Sequence, residues 1–201
     1  MPMSEPYPRP GQTADSEEPT LTVDDHERSA ASETATRPIQ VGILTVSDSR
    51  TRDQDSSGDR IESIALTAGW RIRRRELVTD DPEPLAAMLR SLLDTPEIEV
   101  VLVTGGTGVS LRDRTVDLVD ALSSRSIPGY GERLRAASFE RIGHAGLLSR
   151  ATAGLVDRSE GGSSVAIFTM PGSPNGVETA MREIIVPMLD HLIWLLRDPA
   201  D

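Results

Sequence analysis

The 201-residue chain contains no cysteine and no lysine, and all 21 of its basic residues are arginine. Without cysteine it has no disulfide, no thiolate metal site and no cysteine nucleophile. Without lysine it has no Schiff base, no amine general base and no ammonium clamp for phosphate; arginine, backbone N–H groups or a metal ion have to hold any phosphate. Long apolar runs are missing too. No stretch approaches the roughly 18 consecutive apolar residues of a membrane span, and the N-terminus lacks the basic and apolar parts of a signal peptide, so the expectation is a cytoplasmic protein with no membrane partner. A net charge of −11, from 32 acids, disfavours nucleic acid as a partner as well. This acidic, lysine-free composition has two readings. Abundant carboxylates keep a surface hydrated in a salt-rich cytoplasm, and a GC-rich genome favours arginine codons.

Residues 1–37 carry eight acids and three arginines among Pro, Ser, Thr and Ala, with few bulky apolar side chains. That composition predicts a disordered acidic tail. Residues 38–201 then remain for one compact domain. Within it, the β-branched run Ile39 to Val46 reads as a strand covered on both faces, breaking into Ser47-Asp48-Ser49. A polar loop from Arg50 to Ser57 precedes a helix marked by Ile61, Ile64, Ala65 and Ala68. Trp70 to Val78 alternates like an edge strand, with Arg73-Arg74-Arg75 as a solvated face or a subunit contact. Asp81-Pro82 opens a helix with Pro at its first position and a stripe of Leu85, Met88, Leu89, Leu92 and Leu93.

The second apolar strand, Ile98 to Thr104, runs into Gly105-Gly106-Thr107-Gly108, and helices are predicted at Thr115 to Leu122 and about Gly131 to Ile142. A third apolar strand, Ser164 to Met170, stops at Pro171-Gly172-Ser173-Pro174 before a last helix from about Gly176 to Leu196. Strands alternating with helices predict a three-layer αβα sandwich around a largely parallel sheet, a fold that binds ligands at the carboxyl ends of its strands. Three such ends carry Ser, Asp, Gly or Pro clusters.

Glycines at 105, 106 and 108 allow a sharp turn and let backbone N–H groups approach a phosphate, although a purely structural strand-to-helix turn uses glycine too. No Gly-Lys-Ser/Thr follows, so this is not a Walker A loop; Leu111 occupies the last glycine position of a dinucleotide-binding G-x-G-x-x-G. The continuation Ser110-Leu111-Arg112-Asp113-Arg114-Thr115 adds a carboxylate, two guanidinium groups and a capping hydroxyl. His26, His144 and His191 have no metal-ligand spacing.

Together the loop and its continuation resemble the Thr-Gly-Gly-Thr-Gly…Asp…Thr signature of the molybdopterin-binding family, which includes MoaB, MogA and related domains of plant and animal proteins. Ser47-Asp48, Asp55-Ser56-Ser57-Gly58, Pro128-Gly129-Tyr130-Gly131-Glu132, Leu148-Ser149-Arg150-Ala151 and Met170-Pro171-Gly172-Ser173-Pro174 resemble further landmarks of that family, in order, over about residues 38–197. Ser138 to Gly143 and Ala151 to Gly154 are more similar to MoaB than to MogA, and Leu111, often proline in the family, departs from it.

The resemblance implies a mixed-sheet αβα fold and transfer of AMP from Mg-ATP to molybdopterin, releasing pyrophosphate and feeding a molybdate-inserting, MoeA-like enzyme. It also implies a homotrimer or homohexamer. Asp80 and Asp113 match two aspartates thought to act in catalysis and to hold Mg²⁺. For pterin and phosphates it marks Ser47, Asp48, Ser57, Gly58, Gly105, Gly106, Thr107, Gly108, Thr115, Glu132, Ser149, Arg150, Pro171, Gly172, Ser173 and Pro174. Asp80 and Asp113 also read as helix-cap or loop residues, and a non-catalytic pterin carrier or a nucleotide pyrophosphatase on a related fold stays open.

If the acidic surface is a salt adaptation, carboxylate repulsion should weaken folding or assembly at 0.01 M salt, where screening extends about 30 Å, and molar potassium chloride should restore both. Equal thermal midpoints and sedimentation in the two buffers would leave codon bias as the explanation.

Overall fold

The computed structural model describes residues 23–158 and 162–197. Its centre is a six-stranded sheet built from β1 (Gln40–Val46), β2 (Arg71–Val78), β3 (Val100–Thr104), β4 (Arg125–Ser126), β5 (Ala153–Val156) and β6 (Val165–Met170), in the spatial order β2-β1-β3-β6-β5-β4. The first four strands of that order run parallel, and β5 and β4 are antiparallel additions at one edge. The fold class is therefore as expected. The two short antiparallel strands escape periodicity analysis because four and two residues carry too little pattern.

Every residue of β3 and β6 is buried. Alternate side chains serve opposite faces: Val100, Leu102, Ala166 and Phe168 join one apolar cluster, Val101, Val103, Val165 and Ile167 the other. The first cluster is closed by α2 (Ser56–Thr67), α5 (Pro128–Ile142) and a C-terminal rod. The second is closed by α3 (Pro82–Leu93) and α4 (Thr115–Leu122). The C-terminal rod, predicted as one helix, is α6 (Pro174–Ala180), a π turn (Met181–Ile185) and α7 (Val186–Arg197). Pro187 accounts for the interruption: it lacks an N–H and crowds the preceding turn, and a π bulge absorbs both defects.

Two expectations need correction. The composition of residues 1–37 predicts disorder, yet Val23–Thr36 forms helix α1 against α7; residues 1–22 lie outside the described residues. The contact uses small and polar groups rather than a bulky stripe. Ala30 is buried, and Arg197 donates to Glu33 at 3.3 Å while both Nε and Nη2 engage Glu99 at 2.8 Å.

The second concerns Arg75. It is no solvated residue: its side chain is 6% exposed and lies on the buried carboxylate of Asp55, 2.8 Å away, with Asp59 and Glu62 around it. Burial works against this charge, but the hydrogen bonds to Asp55, Glu62 and Asp59 outweigh it and hold the guanidinium pKa above its ordinary value. Asp55 in turn caps α2 by accepting the Gly58 N–H and accepts the Thr45 hydroxyl of β1 at 2.8 Å.

Removing one partner of a buried pair leaves the other charged and uncompensated. Arg75→Ala should therefore cost about 3–5 kcal/mol in urea unfolding. A loss below about 1 kcal/mol, the range of exposed pairs, would contradict this account of the α2 terminus.

Candidate active site

Strands β1, β3 and β6 end level with one another: Thr45 pairs with Thr104, and Thr104 with Met170. The segments that leave them, with Asp80 after β2, line one cleft of about 610 Å³. Ser47, Asp48, Asp80, Gly105, Gly106, Thr107, Gly108, Asp113, Pro171, Gly172 and Ser173 all meet there. Ser49, Arg50 and Arg112 line it as well. The sequence reading left these three out, although Ser49 and Arg50 directly follow Asp48 and Arg112 precedes Asp113.

Gly105 and Gly106 adopt positive φ, 103° and 62°. Space forbids any side chain there: a β-carbon at 105 would lie 2.1 Å from the Val46 carbonyl, and one at 106 would lie 2.2 Å from Thr115 Oγ1 and 2.9 Å from Asp80 Oδ1. The loop thus packs directly on the end of β1 and on two side-chain oxygens. Both oxygens are buried and neither has a hydrogen-bond partner among the described residues. Such orphaned oxygens are uncommon, and a ligand, an ion or a water is what usually completes them. The amides of Gly106, Thr107, Gly108 and Val109 also find no acceptor among the described residues.

The carboxylates cluster. The Asp80 N–H donates to Asp48 Oδ1 at 3.0 Å, Arg112 pairs with the other Asp48 oxygen, and Asp113 accepts the Ser110 N–H at 2.9 Å. Burial pushes the Asp80 pKa above its ordinary value, and the charges of Asp48 and Asp113 add to that against the opposing Arg112. Among the described residues no three acidic or histidine side chains converge to hold a metal by themselves. Magnesium does not require this, because it is commonly held by one or two carboxylates, substrate phosphate oxygens and water. The unpartnered Asp80 oxygen beside Asp113 fits that mode.

A second cavity, of about 580 Å³, adjoins the first and shares Thr107, Gly108, Pro171 and Ser173 with it. Ser149 lines this lobe together with Ser138, Arg141 and Ile142 of α5 and Asn175 and Thr179 of α6. Ser138, Arg141 and Ile142 lie in the MoaB-like stretch 138–143, but their place beside the cleft follows from helix packing.

The remaining candidates have other places. Gly58 has spent its N–H on Asp55, and a β-carbon there would meet Asp55 and Arg75, so it is glycine for packing. Ser57 donates to the Gly172 carbonyl at 2.7 Å and accepts from Arg50 at 3.1 Å, tying α2 to the β6–α6 turn. Ser173 caps α6 by accepting the Gly176 N–H. Thr115 lies under Gly106, and Arg150 binds the glycine loop from its other side. Pro174 is the first residue of α6 and lines neither cavity, and exposed Glu132 borders a separate depression with Arg135.

Residues 42–191 match the family model described as "Probable molybdopterin binding domain". The chain belongs to this MoaB/MogA-type family. It is 34% identical over 177 residues to molybdenum cofactor biosynthesis protein B of Bacillus cereus, covering 88% of this chain and 98% of that one. The Escherichia coli protein of the same name is 35% identical over 153 residues, 76% of this chain and 86% of that one. A crystal structure of molybdenum cofactor biosynthesis protein B superposes with a TM-score of 0.74 at 35% identity, covering 79% of this chain and 96% of that one. The tungsten cofactor synthesizing protein MoaB from Pyrococcus furiosus gives 0.69 at 32% identity, with 81% and 99% covered.

A raised carboxyl pKa means that the folded state holds the proton more tightly than the unfolded one. Stability is then highest below the unfolded pKa and falls as pH rises through the folded value. Asp80→Asn should accordingly raise the thermal midpoint at pH 7, with the gain disappearing below about pH 4, where the unfolded carboxyl is itself protonated. A midpoint lowered at pH 7 would show that Asp80 is stabilised as an anion.

Proposed function

We propose that the protein serves molybdenum cofactor biosynthesis as a molybdopterin adenylyltransferase. A terminal phosphate oxygen of molybdopterin attacks the α-phosphorus of ATP, the bond to the bridging oxygen breaks, and pyrophosphate leaves with the electron pair. The observation that carries this reading is the presence, in one cleft, of three backbone amides, those of Gly106, Thr107 and Gly108, and a buried Asp80 carboxylate oxygen, all without a partner among the described residues.

The chemical difficulty is to bring two polyanions together in line, and catalysis of phosphoryl-type transfer is mostly positioning and charge stabilisation. The amides of Gly106, Thr107 and Gly108, which have no acceptor among the described residues, suit the non-bridging oxygens of a polyphosphate. Arg50 lies on the cleft wall, anchored to Ser57 and Gly172, and offers a fixed cation; Arg112 is largely exposed and can exchange Asp48 for a phosphate. Asp80 and Asp113 would hold Mg²⁺, which supplies neutralisation of the phosphate charge when bound. The adjoining cavity falls within the roughly 300–1,000 Å³ of small-molecule sites and gives room for a heterocycle beside the phosphates.

The same reading places the chain in a homotrimer or homohexamer, for which the exposed apolar side chains Phe139, Ile142, Leu147 and Leu148 offer contact surface. The adenylylated product passes to a molybdate-inserting enzyme.

Asp113→Asn retains shape and removes charge, and asparagine can still accept the Ser110 N–H. Transfer of AMP to molybdopterin should fall at least about tenfold, a barrier increase near 1.4 kcal/mol, while molybdopterin affinity and the thermal midpoint hold. Undiminished transfer by the folded variant would defeat the assignment.

A further inference from the structure

Arg150 resembles a ligand-binding arginine in the sequence, but its donors point elsewhere. Its Nε donates to the Gly108 carbonyl at 2.7 Å, Nη2 donates to the Asp113 carbonyl, and Nη1 reaches Asp117 Oδ1 at 2.7 Å. Its own backbone N–H donates to the Thr107 carbonyl at 2.9 Å. One residue thus holds three carbonyls of the glycine loop and its continuation. It lines neither of the two joined cavities, bordering the separate depression behind them.

We infer that Arg150 is a positioning residue: by fixing the carbonyls of residues 107 and 108 on its own side, it turns the amides of Gly108 and Val109 into the cleft as a preset anion cradle. The reason is the planar trans peptide, in which the C=O of one residue and the N–H of the next point in opposite directions. A carbonyl of Thr107 tied to Arg150 sends the Gly108 N–H the other way, and a carbonyl of Gly108 tied to Arg150 does the same for Val109. Those two amides have no acceptor among the described residues. The third carbonyl belongs to Asp113, so the same guanidinium also sets the backbone from which that carboxylate extends. Asp117 orients the guanidinium from the outside. The hydrogen bond from Arg150 holds the Asp117 carboxyl below its ordinary range, although Arg114 also approaches it, at 3.8 Å. The planar fork of fixed donors spans the Gly108 and Asp113 carbonyls and the Asp117 carboxylate at once.

The inference rests on reading the loop as a phosphate cradle, and inorganic pyrophosphate tests the two separately. The full-length protein, labelled with ¹⁵N, is titrated with pyrophosphate while the Gly108 and Val109 amide resonances are followed. In the wild type both should shift. In Arg150→Ala the affinity should drop at least about tenfold, a loss near 1.4 kcal/mol, with strand resonances of β1 and β3 unmoved. Millimolar guanidinium ion should recover part of it, a rescue that general loss of packing does not show. Asp117→Asn leaves the arginine in place and should weaken binding by a smaller factor, which keeps the test available if Arg150→Ala does not fold. The Thr107 carbonyl is held by the Arg150 backbone N–H, which both variants keep, so the side chain's effect is read at Val109: unchanged affinity and an unchanged Val109 shift in these variants would overturn the positioning role while leaving the phosphate reading intact. A wild type whose loop amides ignore pyrophosphate would sink the phosphate reading, and the inference with it.

Discussion

Three parallel strands, buried on both faces, end at one level, and the site follows from that. In a strand covered above and below, each backbone group has to be paired and side chains are apolar or, like Thr45 and Thr169, hydrogen-bonded, so charged residues first appear where pairing stops. Because β1, β3 and β6 stop together, Ser47-Asp48, Gly105 to Asp113 and Pro171 to Ser173 emerge side by side. The crowding at that level then dictates glycine at 105 and 106, since the Val46 carbonyl, Thr115 and Asp80 occupy the space a side chain would need. A loop without side chains presents its backbone, and a backbone held by its carbonyls presents its amides.

Charge is handled in opposite ways on the two sides of β1. Beneath the start of α2, Arg75 and Asp55 are buried together, and both Nη atoms of the guanidinium are met by carboxylates while Nε has no partner among the described residues. In the cleft, Asp80 is pressed against a glycine α-carbon with one oxygen unpaired and two further carboxylates nearby. Its nearest countercharge, Arg112, is spent on Asp48. The first arrangement locks an element that supports the site through Ser57 and Gly172; the second stores an unmet demand for positive charge, as binding sites do.

Much of this was legible in the sequence because it depends on local pattern. Continuous β-branched runs announced the buried strands, and Gly105 to Gly108 announced the tight turn that leaves β3. What escaped depends on partners distant in the chain. Arg75 stands in a run of three arginines that looks solvated until Asp55, twenty residues earlier, is folded onto it. Arg150 carries the composition of a ligand, yet its partners at 108, 113 and 117 consume it. Helix α1 lacks a bulky apolar stripe, and its docking becomes apparent only once Ala30 is buried and Glu33 meets Arg197 of α7. Ser138 and Asn175 become neighbours of the cleft through helix packing alone.

The proposed transfer needs a cleft in which the Gly105–Gly108 loop binds an anion beside the Asp80–Asp113 pair. Its most direct test is to combine the wild-type protein with molybdopterin, ATP and magnesium and to quantify pyrophosphate alongside adenylylated molybdopterin. Equal amounts of both, formed only when all components are present, are the predicted result. Pyrophosphate released from ATP without molybdopterin, or molybdopterin bound without any transfer, would contradict the account.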